Sequence, residues 1–229
     1  MKQINLHVNE RLGYLSFSVS RLLSLPPLTV RTVWQSLMCH VGGARWPIPV
    51  KKYEEILKHL LSGNKTARTC GNCVFFHDNV KDDTMIIARV LPALNRQKLW
   101  TPISVGQTVH WDGRWRITLK PLKKLGRQSG IKPLKSNRPA GGLDRKVQFF
   151  VRHMIKPDYT EAKRGIRKIH AVKLPPPQVR GGLPVICTES GYVVIAPHFG
   201  VNDHTYGVDY DMTFDPLLPL IEDSETHVY

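Results

Sequence analysis

Three features of the chain predict an α+β fold: a helical apolar stripe after Pro26-Pro27, short apolar–polar alternations from about residue 68, and an Asp112-Gly113 pair between two such alternations. The expected arrangement is a helical subdomain with a β-hairpin, followed by a small β-rich C-terminal unit.

The first helix is expected after Pro26-Pro27, with Thr29 placed to cap it. Val30, Val33, Trp34, Leu37, Met38 and Val41 then recur at helical spacing, and Gly42-Gly43 ends it. A second helix should follow Pro49, with Tyr53, Ile56, Leu57, Leu60 and Leu61 on one face and Gly63 at its end. Such a helical hairpin cannot bury both apolar faces unaided, so another element must cover it. The period then changes. Arg68–His77 and Thr84–Val90 are expected as strands around the polar turn DNVKDD, and Leu91–Val105, which contains two prolines, as a connection. QTVHWDGRWRITL is a hairpin signal, since Asp-Gly suits a type I′ turn. Residues 120–145 are rich in Lys, Arg, Gly and Pro and predict a mobile basic loop. A short helix is expected around Lys146–Ile155, then a basic stretch, a triple-proline brace and a last hairpin, LPVICTESGYVVIAPHFG, turning at Glu189–Gly191. The organisation expected is therefore 1–92, a helical subdomain with a hairpin; 93–201, a basic β-rich unit; and 202–229, an acidic tail without regular structure.

Charge is the most informative quantity. The 229 residues hold 33 Lys+Arg against 18 Asp+Glu, a net +15 with pI near 9.9. Between Arg114 and Arg180 there are 19 Lys/Arg and three acids, whereas after Val201 there are seven acids and no Lys or Arg. A basic surface of this kind gains affinity by releasing counterions from a polyanion, chiefly nucleic acid. Mean hydropathy of −0.24 is that of a globular chain, and no stretch approaches the ~20 apolar residues of a membrane span. Four dispersed cysteines fit a reducing compartment better than a disulfide framework. A soluble protein is expected, of the mitochondrial matrix if eukaryotic and otherwise of the bacterial cytoplasm.

Several local patterns are weighed and set aside. Cys70-x-x-Cys73 lacks a second pair, and only His77 lies near, so a strand pair is preferred to a zinc site or a redox dithiol. No metal site is expected. The dispersed histidines assemble no catalytic set, and His198 is expected to be packed or hydrogen-bonded. Ala140–Arg145 (AGGLDR) resembles a pyrophosphate-binding loop, but it follows no apolar strand and lacks both serines. The basic residues remain. Arg114 and Arg116 flank Trp115 on a hairpin strand and can fork onto phosphate, with Trp115 itself read as core. Lys123, Lys124, Arg127, Lys132, Lys135 and Arg138 form a basic loop. Lys163, Arg164, Arg167 and Lys168, with Arg180, complete the expected RNA contacts.

Taken together, LGYLSFSVSRLLSLPPLTVRTVWQSLMCHVGG, ARWPIPVKKYEEILKHL, TARTCGNCVFF, MIIARV, TVHWDGRWRITL and PPQVRGGLPVICTESGYVVIAPHFGV resemble, in order, the part of tRNA(Ile)-lysidine synthetase that follows its PP-loop domain, particularly the alphaproteobacterial-type branch. They cover most of residues 10–201. The resemblance implies a role in ligating lysine to the wobble cytidine of an isoleucine tRNA, in which ATP activates the base and lysine displaces AMP. ATP and Mg²⁺ belong to the PP-loop domain, which has no counterpart here, so this chain alone is expected to be inactive and to take no cofactor. It would be a fragment or would act in trans with a PP-loop chain, binding isoleucine tRNA. The alternative reading is a stand-alone RNA-binding or ribosome-associated protein with no link to a ligase.

Overall fold

The computed structural model describes residues 4–43, 49–62, 66–77, 83–90, 100–122, 147–156, 158, 160 and 175–217. These form a mixed α+β fold with three antiparallel sheets. The first sheet has the order β1-β2-β5-β4-β3, from strands β1 (His7–Asn9), β2 (Tyr14–Ser18), β3 (Arg68–Cys70), β4 (Cys73–His77) and β5 (Thr84–Arg89). Between β2 and β3 run helices α1 (Val19–Leu23), α2 (Pro27–Gly42) and α3 (Val50–Leu61).

Alternation along β4 and β5 explains how this sheet organises the molecule. Cys73, Phe75, Met85 and Ile87 face a core shared with the helices, where Leu15, Phe17, Leu22, Trp34, Leu37 and Met38 are buried. Their neighbours Val74, Phe76, Ile86 and Ala88 face a second core shared with the C-terminal strands. A strand buried on both faces reads as a continuous apolar run, which is why CVFF and MIIA show no polar alternation. In the first core the Trp34 ring stacks on Phe75 at 5.1 Å and 23° and meets Phe17 edge-on at 5.9 Å. Each such buried side chain contributes about 1.5–3 kcal/mol. The sheet therefore covers the apolar stripe of α2.

The second sheet has the order β12-β11-β10-β9-β6, from β6 (Thr101–Ile103), β9 (Phe149–His153), β10 (Pro184–Thr188), β11 (Val193–Ala196) and β12 (Val201–Asn202), with a short helix α4 (Pro177–Arg180) before β10. The third has the order β13-β8-β7, from β7 (Thr108–Trp111), β8 (Trp115–Pro121) and β13 (Val208–Phe214). Trp111, Trp115, Ile117 and Leu119 join Val151, Val185, Ile186 and Ile195 in the second core. Segments on either side of residue 92 are thus packed on one another through β4 and β5.

Several elements differ from expectation, each for a local reason. Helix α2 begins at Pro27 rather than after Thr29, because proline at the first helical position loses no hydrogen bond. Arg68–His77 is two strands, folded back at Gly71-Asn72 so that Cys70 pairs with Cys73. The expected helix around Lys146–Ile155 is strand β9: Phe149 and Val151 enter the core, and five residues pair with β10. Thr101–Ile103, within the expected connection, is strand β6. The tail expected to lack structure after Asn202 supplies β13, paired with β8 from Val208↔Pro121 to Phe214↔Trp115. The basic loop is described only to residue 122, and 123–146 and 161–174 lie outside the described residues, as does 218–229. Among the described residues, no helix is long and apolar enough to cross a membrane.

Candidate nucleic-acid interface

The β7–β8 hairpin positions the two arginines that the sequence places beside Trp115. Asp112 and Gly113 both have positive φ (52° and 66°), and the Arg114 amide donates to the Trp111 carbonyl at 3.1 Å, as in a type I′ turn. The register, however, pairs Trp111 with Trp115, so the loop holds three residues and Arg114 is extra. That extra residue breaks the two-residue period. Trp115 is buried as expected, Arg116 is 59% exposed, and Arg114 turns inward to 1%.

Arg114 is consequently a structural cation and not a phosphate contact. Its Nε and Nη2 donate to Asp112 Oδ2 at 3.0 and 2.8 Å, and Nη2 also reaches the Gly182 carbonyl at 2.9 Å. Arg89, from the end of β5, donates to the same carboxylate through Nε at 3.0 Å and Nη2 at 2.6 Å. Two guanidiniums thus share one buried carboxylate, clamping the first sheet to the hairpin. Burial pulls the Arg114 pKa below its ordinary value, and Asp112 opposes that shift.

Arg116 and Lys120 remain exposed on the outer face of β8, the central strand of its sheet, with β13 beside them. Arg116 Nε sits 3.1 Å from Asp215 Oδ2, and Lys120 Nζ 3.0 Å from Asp211 Oδ2. His110 Nε2 is 2.6 Å from the Asp215 carbonyl. Acids of the C-terminal segment therefore balance the hairpin's exposed cations. Exposed pairs of this kind contribute about 0–1 kcal/mol, so an incoming phosphate meets competition but no barrier. Arg180 ends α4, and its Nε donates to the Pro175 carbonyl at 2.9 Å. Lys123, Lys124, Arg127, Lys132, Lys135, Arg138, Lys163, Arg164, Arg167 and Lys168 lie outside the described residues.

The remaining patterns take structural places. Cys73 is fully buried with its Sγ 3.6 Å from the Met38 carbonyl, and burial pushes its thiol up to about 12. A thiol held protonated is poorly suited to bind metal or to attack a disulfide. Cys70 is half-buried and raised by burial too. Among the described residues no group of His, Cys, Asp or Glu could hold a metal ion. His198 is packed against Trp115, with ring centroids 5.3 Å apart, and burial lowers its pKa to about 4.

Sequence reasoning missed two kinds of residue. Arg152 on β9 is buried in a bidentate pair with Asp158 (2.5 and 2.8 Å) and lies 5.6 Å from the Trp100 ring. Its only signal was an arginine and an aspartate six residues apart. Lys52 and Arg68, on α3 and β3 and outside the charge-dense segment, are among the cations that make no ion pair with the described residues. The sequence matches no protein-family model and no curated protein.

Proposed function

We propose that the chain is the tRNA-binding portion of a tRNA(Ile)-lysidine synthetase-like protein, working with a PP-loop catalytic chain or domain that supplies the ATP-dependent chemistry. The observation that carries this reading is the segregation of charge: 19 Lys/Arg, of which Arg114 and Arg152 are buried in ion pairs, against three acids between Arg114 and Arg180, on a chain of net +15. Such a distribution binds a polyanion through counterion release and is spread too widely for one small anionic ligand. The ordered resemblance supports a tRNA in particular.

The role proposed is positional. Contacts to the tRNA body hold the wobble cytidine in register for a reaction carried out elsewhere, so that remote binding energy lowers the barrier to that step. Activation by ATP and displacement of AMP by lysine would use no residue of this chain.

Competition binding tests the reading. A labelled isoleucine tRNA transcript bound to the full chain is displaced either by unlabelled tRNA or by a random RNA of equal length. A docking module prefers tRNA by about tenfold or more, equivalent to about 1.4 kcal/mol. Equal displacement would reduce the chain to a general RNA-binding protein.

A further inference from the structure

The helical half of the molecule carries a second basic feature, outside the segment that dominates the charge count. Helix α3 and strand β3 border a cleft of about 360 Å³, lined among others by Lys52, Glu55, Ile56, His59, Arg68 and Cys70. Lys52, Glu55, Ile56 and His59 lie at i, i+3, i+4 and i+7, so one helical face forms one wall. Ile56 and Tyr53 are buried in the core beneath, which fixes the rotation of the helix. Arg68 and Cys70 come from β3 opposite.

Three observations make this more than a solvated basic face. Lys52 and Arg68 converge on one concave space, with Glu55 the single carboxylate among its lining residues. Neither cation makes an ion pair among the described residues, whereas Arg116 and Lys120 on the hairpin are already matched by Asp215 and Asp211. Finally, His59 Nε2 lies 3.0 Å from the Thr66 carbonyl. A carbonyl only accepts, so this nitrogen carries the hydrogen, and the bond ties the last turn of α3 to the residues entering β3. That link, beside the cleft, reduces the ordering needed on binding.

We propose that the α3–β3 cleft receives a backbone phosphate of the bound RNA, with Lys52 and Arg68 as its cationic contacts. The inference rests on the RNA-binding reading above and deepens it by locating a contact in the helical half. Two cations without an ion pair among the described residues present a phosphate with charge-assisted donors that need not first leave a described carboxylate. Glu55, beside them, accepts hydrogen bonds and suits a ribose 2′-hydroxyl adjoining that phosphate.

The half-buried Cys70 thiol in the cleft provides a direct probe. Full-length protein is alkylated with and without the isoleucine tRNA transcript, or with inorganic phosphate, and modification at Cys70 is read by peptide mass mapping. In parallel, tRNA affinity is measured for the wild type, the double variant Lys52→Gln/Arg68→Gln, and Arg21→Gln, an exposed cation of α1 outside the cleft. The transcript is expected to protect Cys70 at concentrations where inorganic phosphate does not. The double variant should lose about tenfold in affinity and lower the salt slope by about 1.5, whereas Arg21→Gln changes affinity less than about threefold. A wild type that binds tRNA with Cys70 unprotected and the double variant within twofold overturns the cleft alone. Protection by phosphate with none from the transcript makes it a small-anion site and overturns the proposal as well. A wild type that binds no tRNA removes both this inference and the reading beneath it.

Discussion

Asp112 carries a burden out of proportion to its size, because two buried guanidiniums, Arg89 and Arg114, depend on one carboxylate that is 3% exposed. Removing its charge leaves both cations buried without an anion, a change that costs about 3–5 kcal/mol. Asp112→Asn is therefore expected to lower the melting temperature by about 10 °C, whereas Arg116→Ala on the exposed face of β8 should lower it by about 2 °C or less. Calorimetry of the two variants checks the contrast, and equal losses would contradict the burial of Arg114. His198 makes a prediction in pH. Its folded-state value of about 4 lies below the ~6.5 of an unfolded chain, so between these values the unfolded state holds more protons. The stability it contributes is complete above about pH 6.5 and is lost as the pH falls towards 4. Urea midpoints between pH 7 and 4.5 should fall more steeply for the wild type than for His198→Gln; parallel slopes would contradict a buried neutral imidazole. Neither arginine's fate was legible in RWR. In a regular strand, residues flanking Trp115 share a face, and only the third loop residue separates Arg114 from Arg116.

At the scale of elements, the joint between α2 and the β7–β8 turn is the most constrained contact. Gly43 closes α2 in the left-handed region (φ 62°), and a Cβ there would lie 2.6 Å from the Asp112 carbonyl oxygen. Gly43→Ala thus combines backbone strain with a clash against main chain that cannot swing away, and is expected to cost about 2–4 kcal/mol. Chemical denaturation checks this, and a loss under about 1 kcal/mol would place the turn farther from the helix than described. Elements whose local pattern matches their environment were legible: α2 and α3 from their stripes, the β7–β8 hairpin from Asp-Gly, and the β10–β11 hairpin from its turn residues. Those decided by partners were not. FFVRH reads equally as a buried helix or strand until β6 and β10 flank it. VDYDMTF is acidic and polar in sequence, and becomes a strand because β8 offers seven residues to pair with and Trp115 offers a ring to Phe214 at 5.3 Å. Strand β2, whose Leu15 and Phe17 alternate inward with Ser16 and Ser18 outward, carried a readable signal that the helix after it overshadowed.

Across the whole molecule, opposite charge is arranged so that the C-terminal strand and Asp215 balance the exposed cations of β8, while Lys52 and Arg68 in the α3–β3 cleft make no ion pair among the described residues. The charge asymmetry was plain in the sequence, but its spatial consequence was not, since pairings such as Lys120 with Asp211 link residues 91 positions apart. Sequence attention to the 114–180 segment likewise passed over Lys52 and Arg68, which proximity rather than local density brings together. The proposal is that this chain docks a tRNA through many phosphate contacts. It is tested most directly by titrating the full chain with an isoleucine tRNA transcript across a salt series. Tight binding is expected at ~50 mM salt, with a log–log slope of about −4 to −7, the signature of several phosphates neutralised together. A slope shallower than about −2, or no binding at that salt, would contradict it.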